Sequence, residues 1–351
     1  MKAKLKSFLI RFLFFNVFFA IFVGISIRTT IKPIPYGKYT DNDWDSLQYS
    51  PSYNQSEWNI LLDGHSHTYY SDGELSPRQN ILWHMALGYN AMVLTDHNTF
   101  EGVYEIRDIA RNEFNNTFKV LLGMEWTTNR GHFNLIFPPN TTQDNFNDYI
   151  PSTNYASNPS DEEIVAVFKK THDLGGIVVI NHVLWSRSMC KGFPTIEQLD
   201  LWGADYIEIG NGEDYDEESY QYCLENDLGI ITGSDMHIPE KTFSWTELKV
   251  NNFSEDEIFE QLMQKNTNIL YNKSGSLYGI THQFNIGYAL MIGFIEFGQV
   301  LKKIYSDPQY VLLYITFFSS IYMIFFMIEI YKLVKPKIKE KKQRWLSKKK
   351  K

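Results

Sequence analysis

The chain has 351 residues, enough for one large domain or two small ones with an ample core, and a formal net charge of −8. Of its 33 Lys and Arg, four precede Phe12 and eleven follow Tyr331, so the stretch between carries 18 basic against 40 acidic residues, a balance of −22. A middle this acidic excludes general nucleic-acid binding, which rests on neutralising phosphates with Lys and Arg, but leaves room for a small phosphorylated substrate bound through metal ions.

Residues 12–27 are a nearly apolar run behind a basic start. With residues 7–10 added, and Arg11 snorkelling, the segment just spans a bilayer core of ~30 Å. Gly24-Ile25-Ser26 also fits the small-x-small site of a cleaved signal peptide, but the length of the run favours a membrane anchor over residues 1–30. Either places the chain beyond it on the non-cytoplasmic side. Pro33, Pro35 and Pro51 mark residues 31–57 as a linker.

From residue 58 strands and helices alternate. Strand 60–67 is followed by a helix that opens at Ser76-Pro77 and closes at Gly88, then by strand 91–95 and helix 101–114. Strand 119–125 comes next, with 131–137 beside or after it, then a polar loop over 139–160 and a helix over 161–173. The pattern continues through strand 176–180, a short helix opened by Thr195, strand 205–209, helix 217–227 and strand 229–232. A helix capped by Ser254 and strand 267–271 complete a domain over 58–275. Such alternation predicts an α/β fold with parallel strands and crossover helices. Seven or eight repeats without Gly-x-Gly-x-x-Gly favour a barrel over an open sheet.

Residues 284–305 read as an amphipathic interfacial helix, and 309–331 as a second membrane span, uncharged from Tyr310 to Ile328. The basic tail 332–351 belongs in the cytoplasm. Both termini then face inside, with the acidic domain in a lumen or outside the cell. Five glycosylation sequons, at Asn54, Asn115, Asn140, Asn252 and Asn272, agree with that topology. The terminal Lys348–Lys351 looks like an endoplasmic-reticulum retrieval signal, which suggests that lumen for a eukaryotic source and the cell exterior for a prokaryotic one. Cys190 and Cys223 allow one disulfide but have no metal-ligand spacing.

Six of nine histidines, His65, His67, His97, His132, His182 and His237, fall at strand ends or just beyond. In α/β barrels the carboxyl ends of the strands carry the active site. Alternate residues of a strand share a face, so His65 and His67 address one point. Asp72, Asp96, Glu125 and Asp235 lie in the same motifs. Mixed imidazole and carboxylate suit borderline divalent ions. His84, His172 and His282, in helices and loops, are expected to have no metal role.

The motifs Asp63-Gly64-His65-Ser66-His67-Thr68 with Ser71-Asp72-Gly73, Thr95-Asp96-His97-Asn98, Gly123-Met124-Glu125, Asn181-His182 and Gly233-Ser234-Asp235-Met236-His237 resemble those of the PHP superfamily of polymerase-and-histidinol-phosphatase metallohydrolases. Gly123 to Asn134 resembles the branch of the CehA and McbA carbamate hydrolases. Gly64 departs from the Leu that many members carry, and is expected not to disturb the ligands on either side. The resemblance implies a distorted (β/α)7 barrel and two to three divalent ions of Mn, Zn or Fe. One metal would take His65, His67, Glu125 and Asp235; a second Asp72, His97 and His237; a third His132 and His182, with Glu125 bridging.

Clustered dications lower the pKa of a shared water toward ~7, making a nucleophile for phosphorus available at neutral pH. Asp96, beside a ligand, is expected to steer a histidine tautomer. Arg187, with Lys191 and Arg130, is a candidate for gripping phosphate. The expected activity is that of a membrane-anchored metal-dependent phosphoesterase acting on a small phosphorylated or ester substrate. The alternatives are an ester or carbamate hydrolase and a non-catalytic metal-binding barrel.

Overall fold

The computed structural model describes residues 2–30, 38–142, 157–277, 286–306 and 311–348. His282, most of the polar loop and the start of the linker lie outside them. The chain forms two compact units, Lys32–Met291 and, separately, Met1–Ile31 with Ile292–Lys351.

In the larger unit ten strands form one sheet: β1 (Ile60–Asp63), β2 (Ala91–Leu94), β3 (Lys119–Thr128), β4 (Gly131–Phe137), β5 (Ile177–Ile180), β6 (Tyr206–Asn211), β7 (Asp214–Tyr215), β8 (Gly229–Gly233), β9 (Ser244–Leu248) and β10 (Asn268–Tyr271). Their spatial order is β10-β9-β1-β2-β3-β4-β5-β6-β7, with β8 also paired to β6. β1, β2 and β3 run parallel, as do β5, β6 and β8. The uniform parallel barrel expected from alternation is interrupted at β4, at β9 and where β7 turns back on β6. Only Asn129 and Arg130 separate β3 from β4, too short for a crossover, so the two pair as an antiparallel hairpin with Thr128 opposite Gly131. At the other edge β9, a strand the sequence pattern did not disclose, runs antiparallel to both β1 and β10.

The sheet curls into a half-barrel that brings β8 back beside β1. The Gly64 N–H donates to the Thr232 carbonyl at 2.9 Å, the Asp235 N–H to the His65 carbonyl at 2.9 Å, and Ser66 bridges Met236 in parallel. Among the described residues no continuous ladder closes that seam. Successive residues of the central strands alternate between two apolar clusters: Leu61, Met92 and Leu122 join one, and Ile60, Leu62, Val93 and Leu121 the other. Both faces are therefore covered, which explains why these strands read as unbroken apolar runs.

Intervening helices are α2 (Pro77–Ala86), α3 (Glu101–Glu113), α4 (Asp161–Asp173), α5 (Val183–Met189), α6 (Ile196–Leu201), α7 (Glu217–Asn226) and α8 (Glu255–Met263), after α1 (Lys2–Thr30) at the start of the chain. Ser76, Ser160 and Thr195 start their helices with reciprocal capping boxes to Gln79, Glu163 and Gln198. Cys190 and Cys223 are both free thiols, so the disulfide that the sequence allowed is not formed.

The smaller unit contains α1, most of α9 (Ile286–Ser306) and α10 (Val311–Lys348). Leu5–Thr29 and Ile315–Lys339 are long and apolar enough to cross a membrane, and Ile286–Gly298 is a shorter apolar helix. Phe15 and Phe325 rings lie 4.5 Å apart, and the Tyr322 hydroxyl donates to Asn16 Oδ1 at 2.8 Å. Arg11 is not left to snorkel alone: its guanidinium takes both Glu329 carboxylate oxygens, at 2.9 and 2.5 Å.

Candidate metal centre

Strand polarity gathers the site. β1, β2, β5 and β8 point their carboxyl ends the same way, and the residues just beyond them are His65 and His67, His97, His182, and Asp235 and His237. Glu125 lies in the second half of β3, and β4, running back, starts beside it with His132. Three of these turns use left-handed backbone at non-glycine residues: Asn98 at φ 50°, His182 at 27° and Asp235 at 53°. Such conformations persist only where the surroundings hold them. Asn98 shows how: its N–H donates to the Glu125 carbonyl, and its side chain bonds both the N–H and the carbonyl of Thr127.

All nine candidate ligands converge. His65 and His67 bring their Nε2 atoms to 3.0 Å, and Asp235 Oδ1 lies 3.3 and 3.0 Å from them. Glu125 stands 3.5 and 3.7 Å from the same two nitrogens. A second triangle joins Asp72 Oδ1 to His237 Nε2 at 3.2 Å and His97 Nε2 at 3.5 Å, the two nitrogens being 3.3 Å apart. An ion with bonds of about 2.1 Å keeps neighbouring ligand atoms roughly 3.0–3.4 Å apart, so both sets have the spacing that a cation would impose.

Glu125 is the hub. Its Oε1 lies 3.0 Å from His132 Nδ1 and 3.3 Å from His182 Nε2, and its Oε2 2.5 Å from His97 Nδ1. The third set implied by the resemblance is divided, however. His182 groups with His65 and Glu125, and His132 groups with His97 and Glu125.

Donor chemistry fits divalent cations. Burial and the neighbouring His237 and His97 push His67 down to about 3, leaving it in the neutral, ligating form. Its buried Nδ1 has no hydrogen-bond partner among the described residues. Burial alone would raise Glu125 and Asp235, but the surrounding imidazoles hold both carboxyls well below the usual range. Burial likewise opposes charge on His237, yet Asp72 and Asp235 outweigh it and lift the ring to about 10. Carboxylate charge is thus balanced by protons on imidazoles, and a bound dication would displace those protons.

Other sequence candidates are placed elsewhere. Asp96 organises the loop that carries Asp72: its carboxylate accepts from the Thr68 N–H at 2.7 Å, the Thr68 hydroxyl at 2.6 Å and the Ser71 hydroxyl at 2.7 Å. Arg187 pairs its guanidinium with Glu218 of α7 at 2.9 Å and is not among the residues that line the cavity. Arg130 is held by Asp161 and by the carbonyls of Gly192 and Pro159. Asp63 supports the cluster: it accepts the N–H groups of His65 and Ser234 and the Ser234 hydroxyl, and pairs with buried His84 Nε2 at 2.8 Å. Gly64 has no room for a larger residue, because a Cβ there would stand 2.7 Å from Ile231 Cδ1 and 2.8 Å from the Thr232 carbonyl.

Sequence reasoning missed three contributors. Glu208, buried on β6, places Oε1 3.0 Å from His65 Nδ1, while Oε2 accepts the His182 N–H at 2.7 Å and the Asn211 amide at 3.0 Å. A lone acid inside the apolar run of β6 was the signal for it. Asn181 donates to Glu125 Oε1 at 2.9 Å. Trp185 on α5 rests against the His132 and His182 rings, with centroids 5.1 and 5.0 Å away, and borders a cavity of about 330 Å³ that opens onto the histidines.

The sequence matches the PHP domain model over residues 63–310. No curated protein matches. Among solved structures, the chain is similar to a two-domain protein from Bacteroides vulgatus containing a predicted PHP-like metal-dependent phosphoesterase, at 22% identity and TM-score 0.46, covering 63% of this chain and 70% of that one. A structure from Bifidobacterium adolescentis named for a metal-dependent phosphoesterase is 19% identical with TM-score 0.42, covering 60% and 99%. An amidohydrolase from Chromobacterium violaceum is 16% identical with TM-score 0.39, covering 60% and 97%.

Proposed function

The chain belongs to the PHP domain family, and from that membership together with its nine converging ligands we propose that it is a metal-dependent phosphoesterase. The observation that carries the reading is the pair of donor triangles, joined through Glu125, at the spacing of coordinated atoms. In this reading His65, His67, Glu125 and Asp235 hold one divalent ion, Asp72, His97 and His237 a second, and His132 and His182 complete the set around Glu125. Bound dications supply Lewis acidity and a water whose pKa is lowered toward ~7. The protein's own part is orientation. Glu208 fixes His65, Asn181 fixes Glu125, and Asp96 fixes the loop bearing Asp72.

Leu5–Thr29 and Ile315–Lys339 are proposed to anchor the protein in a membrane, with the catalytic domain over residues 58–275 on the non-cytoplasmic side. The basic tail, kept inside by its charge, supports that orientation.

A second reading, ester or carbamate hydrolysis of the CehA and McbA kind, has one observation in its favour. Among the described residues no Lys or Arg lines the cavity, as suits a neutral substrate. The full chain purified in detergent with Mn²⁺ or Zn²⁺ is expected to hydrolyse an aryl phosphate, and to lose that activity with a chelator and in the His65→Ala, His67→Ala double variant. An aryl ester or carbamate cleaved much faster than the aryl phosphate would replace the first reading by the second.

A further inference from the structure

Helix α1 carries a packing pattern that a transient targeting segment does not need. Its covered side chains include Phe8, Phe12, Phe15, Phe19, Phe22 and Ser26, at alternating intervals of four and three residues. That is the spacing of a coiled-coil seam, in which one face of a helix meets a partner along its whole length. The opposite face is open, with Phe14 and Phe18 70% and 71% exposed.

The partner is α10, whose covered positions Phe318, Tyr322, Phe325 and Glu329 follow the same intervals. Two polar pairs fix an antiparallel register. Arg11 Nε and Nη2 donate to the two oxygens of buried Glu329, and Lys332 Nζ adds a third contact at 2.8 Å. About one and a half turns further along α1, Asn16 accepts the hydroxyl of Tyr322, which lies about two turns earlier in α10. Between the pairs the Phe15 ring packs on Phe325 and stands edge-on to Tyr322, with centroids 4.5 and 5.5 Å away. An unpaired charge or amide is costly inside a bilayer, so these pairs favour one register over any slipped one.

The seam also runs across Gly24-Ile25-Ser26, the candidate cleavage site. α1 stays helical from Lys2 to Thr30, and Ser26 is fully buried, its hydroxyl donating to the Phe22 carbonyl at 2.9 Å. Just beyond, the Thr29 hydroxyl reaches the Phe294 carbonyl of α9 at 3.3 Å, and the Phe22 and Phe294 rings lie 4.9 Å apart. A peptidase cutting here would have to unwind this turn and lift it from α9. We propose that α1 is retained in the mature protein as the fixed antiparallel partner of α10, with the Arg11–Glu329 pair setting their register. This rests on the reading that both helices lie in a membrane, and stands apart from the phosphoesterase reading.

The test uses the full chain in host-cell membranes. The protein is expected to stay with the membranes through an alkaline carbonate wash, and its intact mass to include residues 2–30. The Phe15→Cys, Phe325→Cys variant should form a disulfide under mild oxidation, seen as a linked peptide that dithiothreitol separates. Phe14→Cys, Phe325→Cys, with its first thiol on the open face, should not. Adding Arg11→Glu to the first variant is expected to lower the cross-link several-fold, and adding Glu329→Arg as well to restore it. A mature chain beginning at Ile27, equal cross-linking of the two cysteine pairs, or a cross-link indifferent to Arg11→Glu would overturn this inference alone. Complete release by carbonate would overturn the membrane reading with it.

Discussion

Glu208 joins two strands of the site through one carboxylate: Oε1 holds His65 Nδ1 at 3.0 Å, and Oε2 accepts the main-chain N–H of His182 at 2.7 Å. The first contact presents His65 Nε2 toward Asp235 and Glu125; the second steadies His182 at its left-handed turn. A carboxylate behind a ligating imidazole raises its basicity and fixes its ring. Glu208→Gln keeps an acceptor for the His182 N–H but removes the charge. Metal affinity is expected to fall about 10–100-fold, read as bound metal per chain after dialysis against graded chelator.

Gly233 ends β8 against this pair. A Cβ there would overlap both Glu208 Oε1 and the His65 side chain, and neither can retreat, since both are buried among the ligands. Gly233→Ala is expected to cost about 1–3 kcal/mol in unfolding free energy. It should also lower metal stoichiometry, because the residues displaced are those that set the first donor triangle. Gly293, whose Cβ would meet nothing within 4 Å, serves as the control: Gly293→Ala should leave both readouts unchanged.

The cluster of candidate ligands was legible in the sequence because strand ends are marked by apolar runs, and six histidines beside acids at such ends form a pattern. The antiparallel hairpin was half legible, since a two-residue link forbids a crossover but the alternation pattern alone does not count it. β9 was hidden: Ser-Trp-Thr-Glu-Leu has little apolar periodicity, and its burial comes from Trp245 and from neighbours on both sides. Glu208 sits mid-strand in sequence and becomes a support only when β5 and β6 lie side by side. Proximity in sequence to a ligand does not say what a side chain touches: Arg187 meets Glu218, and Asp96 meets Thr68 and Ser71.

Stability should carry a small signature of His172, outside the site. Its Nε2 lies 2.9 Å from Asp205 Oδ2, which also accepts the Val178 N–H, and the hydrogen bond to Asp205 raises the ring's pKa. A folded value above the unfolded one of about 6.5 means the contribution is complete below that pH and is lost as pH rises through the raised folded value. Both side chains are about a third exposed, so solvent screening keeps the contribution within about 1 kcal/mol. Unfolding free energy measured from pH 5.5 to 8.5 should decline in the wild type more than in His172→Gln. Equal slopes would remove the pair from the account.

Asp96 supports the loop that carries the second donor triangle's Asp72, and that makes it separable from Glu208. Its hydrogen bonds fix Thr68 and Ser71 within the loop that presents Asp72, while His65, His67 and Asp235 are held by Asp63, Glu208 and the β1–β8 seam. Asp96→Asn keeps the size of the side chain but replaces one acceptor oxygen by a donor facing hydroxyl and N–H groups. A buried mismatch of that kind costs about 1–3 kcal/mol. The loop, not the sheet, is the part free to yield. The variant is therefore expected to lose occupancy of the Asp72, His97 and His237 set while keeping the first ion, giving one fewer metal per chain than wild type in elemental analysis. Asp72→Ala should reproduce that stoichiometry, and Glu208→Gln should not. A loss of all metal from Asp96→Asn would show instead that the two triangles fill as one unit through Glu125.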